Sequence, residues 1–204
     1  MEAKAIYTLS QNLAHWLNRY TNKEGLEFTK MAIGIEVILI NISKLVIMYL
    51  IAIILGVVVQ TLFIHGAYIM IKRYSFGLHA LNSTVCTIVS CLLFVAVPWF
   101  VFGIMINNVM VLTVFPFIIL SMYLYAPADT KARPIIGSKR RSRLKWKAVV
   151  SALLLMVITI AIPNESVKLL LTLGAVYQVI SILPLTYKIL KRSEKNHEQF
   201  EKCT

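Results

Sequence analysis

Three cysteines in 204 residues (Cys86, Cys91 and Cys203) make an odd set without framework spacing, which excludes a fold organised by disulfides. The sequence has no Cys/His cluster with metal-ligand spacing, no glycine-rich phosphate loop and no serine-based motif, so no metal and no cofactor is implied. A cleavable signal is missing too: the first thirty residues are polar and mixed in charge, without a short apolar core followed by small residues. Charge is scarce at 15%, against 58% hydrophobic residues and a mean hydropathy of +0.75. A soluble core of this size does not need so much apolar surface, whereas helices of about 20 apolar residues are what crosses a bilayer. The composition therefore describes an all-α polytopic membrane protein.

The charge that is present is strongly unbalanced, with a formal net of +12. In a soluble protein that would suggest nucleic acid; here it is explained by lysine and arginine gathered in cytoplasmic loops, and no nucleic-acid partner is expected.

Along the chain, residues 4–20 read as an amphipathic helix, with Ile6, Leu9, Leu13, Trp16, Leu17 and Tyr20 at three- and four-residue steps. Such a stripe suits a helix lying along the membrane surface, or one packed on the bundle. Residues 31–71 form one apolar run of 41 residues. As a single helix it would reach about 60 Å, roughly twice the hydrocarbon thickness. It is therefore divided into spans at 31–50 and 53–71, with a turn near residues 50–55 that no Pro or Asn marks. Glu36 and Lys44 fall inside the first span, where ionisable groups usually pair, and a structural Glu36–Lys44 pairing is expected. Further spans follow at 83–102, 109–126, 148–162 and 168–187, then a charged tail at 188–204.

Topology follows from the charges. Eight basic residues and one acid fall between 127 and 147, and the Lys72-Arg73 pair and the tail are also basic. The turns near 52, 105 and 165 are nearly uncharged. The positive-inside rule then gives six spans, both termini in the cytoplasm, and one membrane domain over 1–204 with 1–30 as a cytoplasmic amphipathic segment.

At the cytoplasmic edge of the third span the chemistry concentrates, in residues 72–86. Cysteine is the strongest nucleophile among the side chains once ionised, and histidine is its usual base. His79 and Cys86 are seven residues apart, so a continuous helix would put them on one face but about 10 Å apart, too far for a hydrogen bond. Contact requires His79 to fold back from outside the helix, with Gly77 as the hinge and Asn82 or Ser83 as N-cap. Cys86 would then lie in the first helical turn, where the dipole favours a thiolate. Read from the residues alone, a catalytic pair and a packed thiol with an interfacial histidine both fit. Cys91, on another helical face, reads as packing; His15, His65 and His197 read as surface or bundle residues.

The stretch resembles the accessory gene regulator B (AgrB) family, integral-membrane cysteine endopeptidases of bacterial quorum sensing. The matching residues are Gly77-x-His79-x6-Cys86 after the basic pair, Tyr125-Ala126-Pro127-Ala128-Asp129-Thr130, Arg133-Pro134 and the basic run at 139–147. The amphipathic start and the six-span pattern extend the similarity over nearly the whole chain. Phe76 departs from the family, which often has a second glycine there. The resemblance implies that Cys86 attacks the scissile carbonyl of a small AgrD-like propeptide, with His79 as base and then as acid. It implies a thioester intermediate, which a thiol or hydroxyl of the bound peptide opens to close a thiolactone or lactone ring. Asn82, Ser83 and Thr84 are the oxyanion candidates. An acidic propeptide tail would be attracted by Lys139, Arg140, Arg141, Arg143, Lys145 and Lys147, which would also touch anionic lipid. Asp129 is expected to cap or to pair with Arg133. The resemblance leaves room for a homodimer, and the competing reading is a small-peptide exporter without protease activity that uses Glu36 and Lys44.

Overall fold

The computed structural model describes residues 2–78, 83–101, 103–129, 135 and 137–190, the side chains of 2–5 and 83 apart. Among these residues all regular structure is helical except for one bridge between Phe76 and Ala128. Helix α1 is Glu2–Thr21, α2 Gly25–Ile54, α3 Val58–Ser75 and α4 Ser83–Cys91. A π-helical turn, Leu92–Ala96, continues α4 into α5, Val97–Phe100. Then come α6 (Asn108–Tyr125), α7 (Ser138–Ala161), α8 (Glu165–Ile182) and α9 (Pro184–Ile189).

The ends of these helices have local causes. The long apolar run breaks at residues 55–57 around Gly56, whose φ of +69° suits glycine. That position lies at the far edge of the window expected from hydropathy. Asn107 and Asn164 cap α6 and α8, their side-chain oxygens accepting from Met110 N at 3.0 Å and Val167 N at 3.1 Å. Pro184 stops α8 by pushing Leu183 into an extended conformation. The basic run 139–147 is not a loop: it forms the opening turns of α7, consistent with the good helix propensity of lysine and arginine.

Helices α2, α6, α7 and α8 are long and apolar enough to cross a membrane, and residues 84–100 form a shorter apolar helix. The protein is an all-α membrane protein, with large apolar side chains such as Ile54, Phe100 and Phe117 turned outward. Lipid tails are as apolar as leucine, so close packing and internal hydrogen bonds, rather than escape from water, hold such helices together. One core joins α3, α6, α7 and α8 through Ile71, Phe115, Met122, Leu155 and Ile182. A second joins α2, α3, the π turn and α8 through Met48, Ile64, Phe94 and Leu170. At the α3–α8 crossing, a Cβ on Gly174 would stand 2.3 Å from the Ile64 carbonyl, so only glycine permits the approach.

Helix α1 packs back on α2. It buries Ser10 and Ala14 and leaves Tyr7, Leu9, Trp16 and Tyr20 exposed. The expected Glu36–Lys44 pairing does not form: both residues lie on α2, where eight residues span about 12 Å, and among the described residues the recorded ion pair is Asp129–Arg141. Lys168, near the start of α8, is buried and donates to Asn108 Oδ1 at 2.6 Å.

Candidate active site at the basic end of the bundle

The C-terminal turn of α3, the start of α4, the ends of α6 and α8 and the start of α7 converge at one end of the bundle. Lys147 Nζ sits 5.5 Å above the Tyr74 ring, joining the two basic segments there.

Helix α3 stops at Ser75, and the chain does not run straight on as a helix. Phe76 takes φ +58° and ψ −126°, and Gly77 takes φ +109°, two successive residues at positive φ. The strap that follows is bonded on both sides. Ala128 N donates to Ser75 O and Gly77 N donates to Ala128 O, each at 3.0 Å, and Leu78 N donates to Ser181 O at 3.0 Å. Gly77 is held tightly rather than left free: a Cβ there would meet Ser181 Oγ at 2.7 Å and Ser181 O at 2.9 Å. Gln178, fully buried on α8, reaches across with Nε2, donating to Ser75 Oγ and to Phe76 O at 2.7 Å each.

His79 and Asn82 lie outside the described residues, and so does the side chain of Ser83. The strap is described as far as Leu78, one residue short of the histidine. Helix α4 is described from Ser83 to Cys91, with Cys86 near the start of the described stretch. Cys86 is half-buried, and its thiol is free. It lies within electrostatic reach of Tyr68 and Lys72 on α3. Lys72 Nζ donates to the Tyr68 hydroxyl and lies 4.7 Å from that ring's centre. The sequence alone marks Lys72 only as one of a basic pair. Thr84, the remaining oxyanion candidate, is exposed two residues before Cys86. Cys91 packs with the second core, and His65 bonds Tyr49 Oη at 3.1 Å.

Beside the strap, a cleft of about 420 Å³ opens between residues 124–129, the start of α7 and the α8–α9 corner. Asp129 stands in its wall at 4% exposure, its carboxylate 3.7 Å from Arg141 Nη1 and its carbonyl accepting from Tyr187 Oη at 3.2 Å. Among the described residues Asp129 pairs with Arg141, while Arg133, the partner expected from the sequence, lies outside them. Of the six basic residues expected to meet a substrate, Arg141 and Lys145 line this cleft. Lys139, Arg140, Arg143 and Lys147 are exposed outside it.

Ala128 serves both features. It lines the cleft and carries the hydrogen bonds that fix the strap, so whatever fills the cleft sits one peptide unit from the segment leading to His79.

A family model described as Accessory gene regulator B matches residues 10–182. An AgrB-like protein of Clostridium acetobutylicum is 42% identical over 186 residues, covering 91% of this chain and 89% of its own. An AgrB-like protein of Listeria innocua is 45% identical over 180 residues, 88% of this chain and 87% of its own. The accessory gene regulator protein B of Staphylococcus haemolyticus is 30% identical over 184 residues, 90% of this chain and 97% of its own. No solved structure matches the chain significantly.

Proposed function

The chain belongs to the accessory gene regulator B family, and from that premise we propose that it is a membrane cysteine endopeptidase that processes a small quorum-sensing propeptide. The observation that carries this reading is Cys86: a free, half-buried thiol on α4, within electrostatic reach of Lys72, with a hydrogen-bonded strap that ends one residue before His79.

In this reading His79 takes the Cys86 proton as sulfur attacks the scissile carbonyl. The C–N bond breaks, the same proton passes to the leaving amine, and the N-terminal part of the propeptide stays on Cys86 as a thioester. A thiol or hydroxyl within that peptide then displaces Cys86 and closes the ring. Its tether gives it a high effective concentration against water. Lys72 stabilises negative charge on the sulfur as it attacks and as it departs, a role that needs the cation and not a proton transfer. Oxyanion donors belong in the segment from Asn82 to Thr84.

The cleft supplies substrate capture. Two cations against one carboxylate, flanked by the hydroxyls of Ser138 and Ser142, favour an acidic peptide segment. Arg141 and Lys145 meet the tail of an AgrD-like propeptide, while the exposed Lys139, Arg140, Arg143 and Lys147 set orientation and touch anionic lipid. In this reading the chain is one membrane domain of six spans, with α3 and α4–α5 crossing beside the four long apolar helices α2, α6, α7 and α8. The basic end and both termini then face the cytoplasm, and α1 lies at the interface.

The test is cleavage of an acidic-tailed propeptide by the protein reconstituted in nanodiscs. Cleavage at a single bond is expected. Arg141→Gln and Lys145→Gln each raise KM about tenfold with kcat little changed, the scale of a partly exposed charge-assisted hydrogen bond. Arg140→Gln changes KM less than twofold. Transport of intact propeptide without cleavage is the result that favours an exporter and defeats the peptidase reading. Equal effects of Arg141→Gln and Arg140→Gln refute the cleft as the capture site.

A further inference from the structure

The segment that enters His79 is held in a conformation that its own residues disfavour. Phe76 sits at φ +58°, ψ −126°, a region that L-residues rarely occupy and that only its surroundings can hold. Having left α3, its carbonyl no longer points along a helix and must find another donor. That donor comes from a residue 102 positions away in sequence: Gln178 Nε2, at 2.7 Å. The other amide hydrogen of Gln178 goes to Ser75 Oγ, also at 2.7 Å, and that hydroxyl itself donates to Ile71 O at 2.9 Å. One side chain thus locks the last turn of α3 and the first residue of the strap together. Three residues further along α8, Ser181 O receives Leu78 N. The same face of α8 therefore holds the strap at Phe76 and again at Leu78, the residue before His79.

We infer that Gln178 is the positioning residue for the catalytic histidine: its carboxamide holds the Phe76 peptide in its positive-φ conformation, and this fixes the direction in which the chain delivers His79 to Cys86. The inference rests on the Cys86–His79 reading above. Gln178 is fully buried and acts through the strap, without touching substrate. Its Oε1 has no hydrogen-bond partner and remains buried as an orphan acceptor. An orphaned buried acceptor is costly, which fits a residue kept for its two donors. Phe76 in place of glycine makes this clamp necessary, because glycine would adopt the same backbone unaided.

The experiment uses the full chain in nanodiscs with Cys91→Ser and Cys203→Ser, which leaves Cys86 as the single thiol. Two readouts are followed: propeptide cleavage kinetics, and the pH dependence of Cys86 alkylation by iodoacetamide, which needs no propeptide. Gln178→Ala is expected to lower kcat by about 10- to 100-fold with KM within twofold, the scale of a misplaced catalytic group. Its alkylation profile is expected to match that of His79→Ala. Adding Phe76→Gly to Gln178→Ala is expected to recover at least tenfold in kcat and to restore the parent profile.

A Gln178→Ala protein that cleaves and alkylates like its parent overturns the inference. So does a loss that Phe76→Gly does not relieve, since that marks a residue needed only for folding. If parent and His79→Ala proteins already share one alkylation profile, the Cys–His reading itself fails and this inference falls with it.

Discussion

Cys86→Ala abolishes propeptide cleavage while the protein still inserts in the membrane at normal levels. Removing the nucleophile of a covalent mechanism typically costs about 10⁴-fold or more, because no neighbouring group replaces it. Little structural penalty accompanies the change: Cys86 is only half-buried at the start of α4, and alanine is the best helix former. His79→Ala is expected to give a similar loss, since the pair acts as a unit and the two effects are not additive. The check is a cleavage assay on membranes matched for protein content. Cleavage by Cys86→Ala at more than a hundredth of the parent rate removes Cys86 from the chemistry.

Gly77→Ala carries the second large effect, for a different reason. The residue lies at φ +109°, and its missing Cβ would meet Ser181 Oγ at 2.7 Å and the Ser181 carbonyl at 2.9 Å. The hydroxyl can rotate away, but the carbonyl belongs to the last turns of α8 and cannot. The strap must shift by several tenths of an ångström, and the bonds from Gly77 N to Ala128 O and from Leu78 N to Ser181 O, each 3.0 Å, lengthen or break. His79 then emerges from a displaced strap, and kcat falls by about 100-fold, as expected when a catalytic group is misplaced by roughly an ångström. Adding Ser181→Ala removes the hydroxyl contact and leaves the carbonyl one, so it restores little. Activity kinetics of the single and double variants check this, with size-exclusion profiles to show that the fold survives. Parent-like kcat in Gly77→Ala means that the strap does not govern the histidine.

How much of this was legible in the sequence depends on whether the determinant is local. Apolar runs reveal helices because lipid and helix lengths are matched, and the 31–71 run had to break once for the same reason. The break itself falls at Gly56, where one glycine among apolar residues gives a weak turn signal. Lysine and arginine suit a cytoplasmic loop and a helix equally well, which is why the 139–147 run could be read for charge but not for its helical form. Pairing Glu36 with Lys44 came from the cost of charge in a membrane, but an eight-residue separation along one helix keeps them apart. Cys86 lies on α4, as the apolar run from residue 83 implies, while the residues just before Ser83 lie outside the described ones. Gln178, Tyr68 and the Asp129–Arg141 pair were not legible, because each gains its meaning from a contact made in three dimensions. The departure at Phe76 was visible in the sequence; that it takes a backbone conformation suited to glycine emerges only from its φ of +58°.

The same comparison separates two roles that a run of basic residues blends. Net charge placed all six cations of 139–147 in one class, whereas the cleft takes in Arg141 and Lys145 and leaves the others outside. The α7 start turns one part of its surface to the cleft and the rest away from it. If the cleft captures the propeptide as proposed, substitutions at Arg141 or Lys145 alter capture without altering orientation in the membrane.

Covalent acylation of Cys86 by the propeptide is tested most directly by acid-quenching the protein with a propeptide whose ring-closing residue is replaced by alanine, then mapping the adduct by mass spectrometry. A peptidyl adduct is expected on the peptide containing Cys86, released by hydroxylamine and absent from Cys86→Ala. Propeptide cleaved without any adduct on Cys86, or an adduct that persists in Cys86→Ala, contradicts it.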